Sequence, residues 1–330
     1  MTGLLLSPAA LEAYGDEIAS VAADTRLSLA IVPLPVDPND RLGAAELAGI
    51  DLAYFSADVF PERSRQFFAA AQGAPNLRWM QLQNVGVDEP VFGRLLAKGV
   101  RLTTSAGATA EPIAQTAIAG VLALARDLPR LAQAQRRRVW EPGWEEDVPP
   151  RDLRGQTMVV VGLGAIGSEI ARIARVLGLH VVGVRRSPAR PDDPVDELHP
   201  PAALHALLPQ ADWLVLAVPL TEDTRGLIDA RAIALLPDGA RVVNIARGAV
   251  IEEDALITAL EDGQLAGAYL DVFEVEPLPA DSPLWALPNV IVTPHNSSAA
   301  RGNVARITAI FLDNLGRWAR GEALRNEARA

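Results

Sequence analysis

The 330-residue chain contains no cysteine. Disulfides, thiolate metal centres, iron–sulfur clusters and cysteine nucleophiles are thereby excluded, and the redox compartment is left open. Lysine is nearly absent too: of 30 cationic side chains only Lys98 is not arginine, which all but removes Schiff-base chemistry. Imidazole chemistry has four places to happen, His180, His199, His205 and His295. No apolar run approaches ~18 uncharged residues, so no spanning helix is predicted. Met1 to Ala10 carries no basic stretch ahead of Leu4-Leu5-Leu6 and does not read as a secretory signal. Cations are outnumbered by 41 anions, a net charge of −11, which argues against a surface built to neutralise a nucleic-acid backbone. These absences predict a soluble, cytoplasmic protein with neither nucleic acid nor membrane as partner.

What is present is ample core material, 49% hydrophobic against 22% charged residues. The length suggests two domains. Leu27 to Pro33, Asp51 to Ser56, Leu77 to Leu82 and Val100 to Thr104 read as strands. Helical stretches near Leu42 to Ala48, Ser64 to Gln72 and Val91 to Lys98 lie between them. Near-continuous hydrophobic strands separated by helices imply a parallel sheet covered on both faces. An alanine-rich helical segment, Pro112 to Arg126, follows. Periodicity then stops through Arg136-Arg137-Arg138, Trp140, Pro142-Gly143-Trp144 and Pro149-Pro150, which read as a connector, the arginines as a solvated helix face.

A second alternation has strands at Thr157 to Val161, Val181 to Val184, Trp213 to Ala217, Arg241 to Ile245, Gly267 to Asp271 and Val290 to Thr293. It predicts a second doubly wound parallel sheet. The amphipathic tail Ala299 to Arg320 is too short to fold alone and is expected against the first domain, so that the chain crosses between domains twice. The expected division is residues 1–104 with 296–330, and 105–295.

The first strand of the second sheet runs into Gly162-Leu163-Gly164-Ala165-Ile166-Gly167 and then a helix-forming stretch. In that context the glycines have a mechanism. One permits the tight turn, one lets backbone approach a pyrophosphate, and one lets helix pack on strand. The helix start presents amides and partial positive charge to the anion. About 20 residues on, where an acidic residue would hold a ribose 2′-hydroxyl, stand Arg185-Arg186-Ser187. Guanidinium groups and a hydroxyl suit a 2′-phosphate, so NADP(H) is the expected cofactor, with NAD(H) as a second choice.

Three further residues follow the ends of predicted strands, where open α/β sheets bind ligands: Arg247, Glu276 and His295. Singly, each fits a surface ion pair, a loop acid or a structural histidine. Jointly they supply a bidentate carboxylate clamp, a proton donor and a carboxylate to orient it. His180, His199 and His205 have no such context: His180 falls in a strand, the other two in a Pro-rich surface stretch. No metal-ligand spacing is recognisable.

With Ala217-Val218-Pro219-Leu220-Thr221, Thr224-Arg225-Gly226-Leu227, Asn244 to Gly248, Asp271 to Pro277 and Thr293-Pro294-His295, the sequence strongly resembles the D-isomer-specific 2-hydroxyacid dehydrogenases. The resemblance covers nearly the whole chain and is densest from Gly155 to His295. It implies a flavodoxin-like substrate domain and a Rossmann dinucleotide-binding domain. It implies Arg247 as clamp on substrate carboxylate and carbonyl, and His295 paired with Glu276 as acid. Cofactor contacts are implied for Val218, Pro219, Thr224, Ile245, Ala246 and Asp271, the last to the nicotinamide carboxamide. Substrate contacts are implied for amides around Val85 and Gly86 in Asn84-Val85-Gly86-Val87-Asp88. Departures are Gln115 where many members have a carboxylate, and Asn296-Ser297-Ser298 in place of a glycine-containing run. The expected activity is NADP(H)-dependent reduction of small 2-oxo acids, such as glyoxylate or hydroxypyruvate, to D-2-hydroxy acids by a homodimer, with Ile113 to Leu124 as a contributor to the interface. The alternative is a dinucleotide-sensing corepressor on the same fold.

Overall fold

The structure, a computed structural model, describes residues 1–87, 89–141 and 150–328. Asp88 and the Pro142-Gly143-Trp144 part of the connector, with Pro149, lie outside the described residues. Two compact units emerge, Met1–Thr109 with Ala300–Ala330, and Ala110–Ala299.

The first unit holds a parallel sheet of β1 (Thr2–Leu6), β2 (Leu29–Pro33), β3 (Leu52–Phe55), β4 (Trp79–Leu82) and β5 (Arg101–Thr103) in the order β2-β1-β3-β4-β5. That is the flavodoxin-like order. Strand β1 went unread in the sequence because its apolar run is only Leu4-Leu5-Leu6, yet it pairs on both sides and those leucines are fully buried. The helix after it, Pro8–Asp24, had a legible start: Ser7 caps it by accepting from the Ala10 amide at 3.0 Å, with Pro8 in the first turn. Helix Asn303–Arg320 lays Ile307, Phe311 and Leu315 onto Leu4, Leu6, Tyr54 and Trp79, its ring Phe311 stacked 4.1 Å from Tyr54. The unit reaches beyond residue 104 because Ala108 sits in this core and its carbonyl accepts from Arg306 Nε at 2.6 Å.

The second unit has seven parallel strands, β6 (Thr157–Val161), β7 (His180–Val184), β8 (Glu197–His199), β9 (Trp213–Leu216), β10 (Ala240–Asn244), β11 (Leu265–Leu270) and β12 (Val290–Val292). Their order is β12-β11-β10-β9-β6-β7-β8, the Rossmann arrangement with an added edge strand. Alternate residues feed two cores: Met158 and Val160 pack with helices Ala110–Ala125 and Ala165–Val176, whereas Val159 and Val161 face the opposite layer. The order reverses between β6 and β9, which makes their C-terminal ends the switch point where ligands bind.

Two expectations need correction. His199 lies on β8 and not in a surface coil; the three-residue edge strand, with polar Glu197 and His199, has no apolar alternation to betray it. The supposed connector contains helix Leu128–Arg137, in whose last turn Arg136 and Arg137 are exposed. In the segment Ile113 to Leu124, Ile113, Ile118, Val121 and Leu124 are core residues of the second unit, while Leu122 is exposed. Among the described residues no helix is long and apolar enough to cross a membrane, and no cluster of metal-ligating side chains is present.

Candidate active site

The glycine turn takes the form its chemistry requires. Gly162 has φ +97°, donates its amide to Val184 O at 2.8 Å, and lies where a Cβ would stand 2.5 Å from Ala217 O. Only glycine satisfies both demands. A Cβ on Gly167 would meet Gly162 O at 1.9 Å, so this residue sets how closely the helix packs on the turn. Beside Gly164 there is open space, and no side chain caps the helix that begins at Ala165. Its first amides therefore face an accessible cradle, with Ala165 exposed and Ile166 half-buried, which fits a dinucleotide pyrophosphate. Val218 adjoins Gly162 beyond β9. Thr224 closes the neighbouring turn, its hydroxyl donating to Pro219 O at 2.6 Å and accepting from the Thr221 amide at 2.8 Å.

The loops after β10, β11 and β12 bring the other three candidates onto adjacent strand ends. Asn244, fully buried, organises the first: its Oδ1 accepts from the Ala246 amide at 3.1 Å and its Nδ2 donates to Arg247 O at 3.2 Å. Ile245 and Ala246 are buried, and Arg247 Nη1 donates to Ala246 O at 2.7 Å. A Cβ on Gly248 would lie 1.9 Å from the Phe273 carbonyl carbon, so the Arg247 loop rests directly on the backbone leading to Glu276. Glu276 accepts from the Phe273 amide through Oε1 at 3.1 Å, and its Oε2 stands 2.8 Å from His295 Nδ1. With Nδ1 facing the carboxylate, Nε2 is the nitrogen left to exchange a proton with a ligand.

His295 occupies a left-handed backbone conformation, φ +50°, held by its amide donating to Asp271 O and Thr293 O. The Asp271 carboxylate, 2% exposed, gathers the same loop: Oδ1 accepts from the Thr293 hydroxyl at 2.6 Å and the Asn296 amide at 3.0 Å. Ser297 reaches it with amide and hydroxyl. Because Thr293 spends its only hydroxyl proton on Asp271, the Tyr269 phenol 2.8 Å away must donate to Thr293. Burial pushes the Tyr269 phenol up to about 12.

In the first unit Val85 is exposed and the Asn84 side chain closes its loop by donating to Gly86 O at 2.6 Å.

The NAD binding domain of the D-isomer specific 2-hydroxyacid dehydrogenases matches residues 118–297, more than half of the chain. The chain belongs to this family. A glyoxylate/hydroxypyruvate reductase B of Pectobacterium carotovorum is 34% identical to it over 82% of this chain and 89% of that protein. A D-isomer specific 2-hydroxyacid dehydrogenase of Xanthobacter autotrophicus, solved in complex with NADPH and MES, superposes with a TM-score of 0.76 at 32% identity, covering 99% and 98% of the two chains. An NADPH-dependent glyoxylate/hydroxypyruvate reductase of Sinorhizobium meliloti, solved with NADP and sulfate, gives 0.76 at 26% identity over the same shares.

This D-2-hydroxyacid dehydrogenase is thus an NAD(P)-dependent oxidoreductase, with two parallel-sheet domains of which the second binds the dinucleotide. Two parts of its site were not legible beforehand. The side chains of Tyr269, Thr293 and Ser297 reach the His295 loop through the Asp271 carboxylate, and no spacing advertises such a chain. After β7, Arg185 turns inward onto Asp193, a residue that reads in sequence as one more surface acid, while Arg186 and Ser187 stay exposed.

Proposed function

We propose that the enzyme reduces small 2-oxo acids, glyoxylate or hydroxypyruvate among them, to D-2-hydroxy acids, with NADPH preferred over NADH. The observation that carries this reading is the His295–Glu276 pair at 2.8 Å on strand ends next to Arg247. The activities and ligands named for the relatives, and the arginines after β7 in place of an acid, support it.

When bound at the 162–167 glycine turn, reduced dinucleotide would supply the hydride for the carbonyl carbon. Arg247 holds the substrate carboxylate through parallel N–H bonds and places positive charge where the carbonyl oxygen becomes an alkoxide. His295 delivers the Nε2 proton to that oxygen, giving the hydroxyl, while Glu276 keeps the ring in orientation and stabilises its protonated form. The imidazole, 46% exposed, recovers its proton from solvent. Asn244 and Asp271 act on these groups by shaping their loops. Homodimerisation belongs to the same proposal, through the exposed apolar Leu122, Leu128, Leu131, Val139 and Trp140.

The test is loss of reduced-nicotinamide absorbance with NADPH or NADH over a panel of 2-oxo acids, alongside His295→Ala. Turnover with NADPH should fall about 100- to 10,000-fold in the variant while NADPH still quenches protein fluorescence. Binding without turnover across the whole panel would return the dinucleotide-sensing alternative, and an active His295→Ala would remove His295 from its role.

A further inference from the structure

The loop after β7 is closed by one ion pair. Arg185 donates from Nη1 to Asp193 Oδ1 and from Nη2 to Asp193 Oδ2, both at 2.6 Å, with the two side chains only 7% and 11% exposed. Arg185 Nε also donates to Ser187 O at 3.0 Å, and Nη2 to Pro188 O. From the other side Asp193 Oδ2 accepts the Arg190 amide at 2.7 Å, and the Asp193 amide donates to Arg190 O at 3.2 Å. The Arg185 guanidinium holds the Asp193 carboxyl below the usual carboxylate range. All three Arg185 nitrogens therefore already donate to the loop's own carbonyls and carboxylate. Arg186 and Arg190, by contrast, are exposed and their guanidinium groups have no acceptor among the described residues. The loop is anchored beside the dinucleotide turn, since Gly162 N donates to Val184 O and Arg185 N to His199 O.

We propose that Asp193, through its bidentate bond to Arg185, is a positioning residue for cofactor choice: the pair folds residues 185–193 so that Arg186, Ser187 and Arg190 face a ribose 2′-phosphate, and Arg185 itself does not contact it. The inference rests on the NADPH preference proposed above. Its consequence runs against simple electrostatics. Taking a carboxylate away from a site for a doubly charged phosphate ought to tighten binding. Taking away Asp193 should weaken it, because a guanidinium released from its carboxylate lets the loop unfold and scatters the groups that meet the phosphate.

Dissociation constants for NADPH and NADH, read from nicotinamide fluorescence with the full-length chain, test this in wild type, Asp193→Ala, Asp193→Asn and Asp193→Glu. Asp193→Ala should raise the NADPH constant about 10- to 100-fold, the cost of one charge-assisted phosphate contact, with much less change for NADH. Asp193→Asn, which keeps the shape and one acceptor, should fall between, and Asp193→Glu should recover part of the loss. The double variant Asp193→Ala/Arg185→Met should be no worse than either single change, because both remove the same device. Tighter or unchanged NADPH binding in Asp193→Ala overturns the proposal, and tighter binding points to Arg185 as a direct phosphate ligand. Equal weakening for both dinucleotides also overturns it, leaving a merely structural pair. A wild type that prefers NADH instead defeats the underlying cofactor reading, a result visible before any variant is made.

Discussion

At the scale of single residues, the catalytic geometry depends on one missing side chain. Gly248 follows Arg247 directly, and its would-be Cβ meets the Phe273 carbonyl and the Glu274 amide at 1.9–2.3 Å, all backbone atoms that cannot swing aside. Gly248→Ala must therefore push the Arg247 loop away from the loop carrying Glu276. Overpacking of this kind costs about 1–3 kcal/mol in stability, and a misplacement near 1 Å at the clamp costs about 100-fold in turnover. The glycine turn is built on other strands, so the NADPH dissociation constant should change far less than turnover, through the neighbouring Ile245 and Ala246 alone. Steady-state turnover and a fluorescence titration on the same preparation separate the two effects; wild-type turnover in Gly248→Ala would show that the two loops are not mechanically joined.

At the scale of elements, helix Ala110–Ala125 shows how a local preference can be reversed. Gly120 sits in its interior, where alanine is ordinarily favoured by about 1 kcal/mol. Here an added Cβ would lie 2.5 Å from Cγ and 2.9 Å from Cβ of Tyr269 on β11, the stiff root of that side chain. Gly120→Ala should accordingly destabilise by about 1–3 kcal/mol, seen as a lower denaturation midpoint; a midpoint raised by the helix-propensity amount would mean that the ring has room. The sequence alone made the repeating elements legible because their signals are local. The apolar run before Gly162, the turn itself, and the strand ends before Arg247, Glu276 and His295 all lie within a few residues of the groups they position. What stayed hidden depends on which partners the folded chain brings back to a residue. The burial of β1 comes from pairing with β2 and β3, the role of Asp271 comes from Thr293 and Ser297, and Arg185 turns inward only because Asp193 returns to meet it.

At the scale of the whole molecule, a net charge of −11 coexists with arginines placed after strand ends, so an acidic protein can still bind anionic ligands locally. Alkaline pH probes both units at once, because each contains one buried phenol that keeps its proton unusually well. Tyr54 on β3 stacks on Phe311 and shares a 3.1 Å hydrogen bond with Thr308 of helix Asn303–Arg320, and burial pushes it up to about 12. Tyr269 in the second unit is pushed to about 12 by burial as well. The neutral phenol is the form the folded chain favours. Its contribution is complete below the unfolded value of about 10, and it is lost as pH rises through the folded value near 12. Stability should therefore fall across that window, with phenolate absorbance from these two residues appearing together with loss of circular dichroism. Tyr54→Phe and Tyr269→Phe should each flatten part of the alkaline decline while costing about 1 kcal/mol at neutral pH for the lost hydrogen bond. Ionisation of both phenols near pH 10 with the dichroism intact would show that neither is shielded by the core in which it lies.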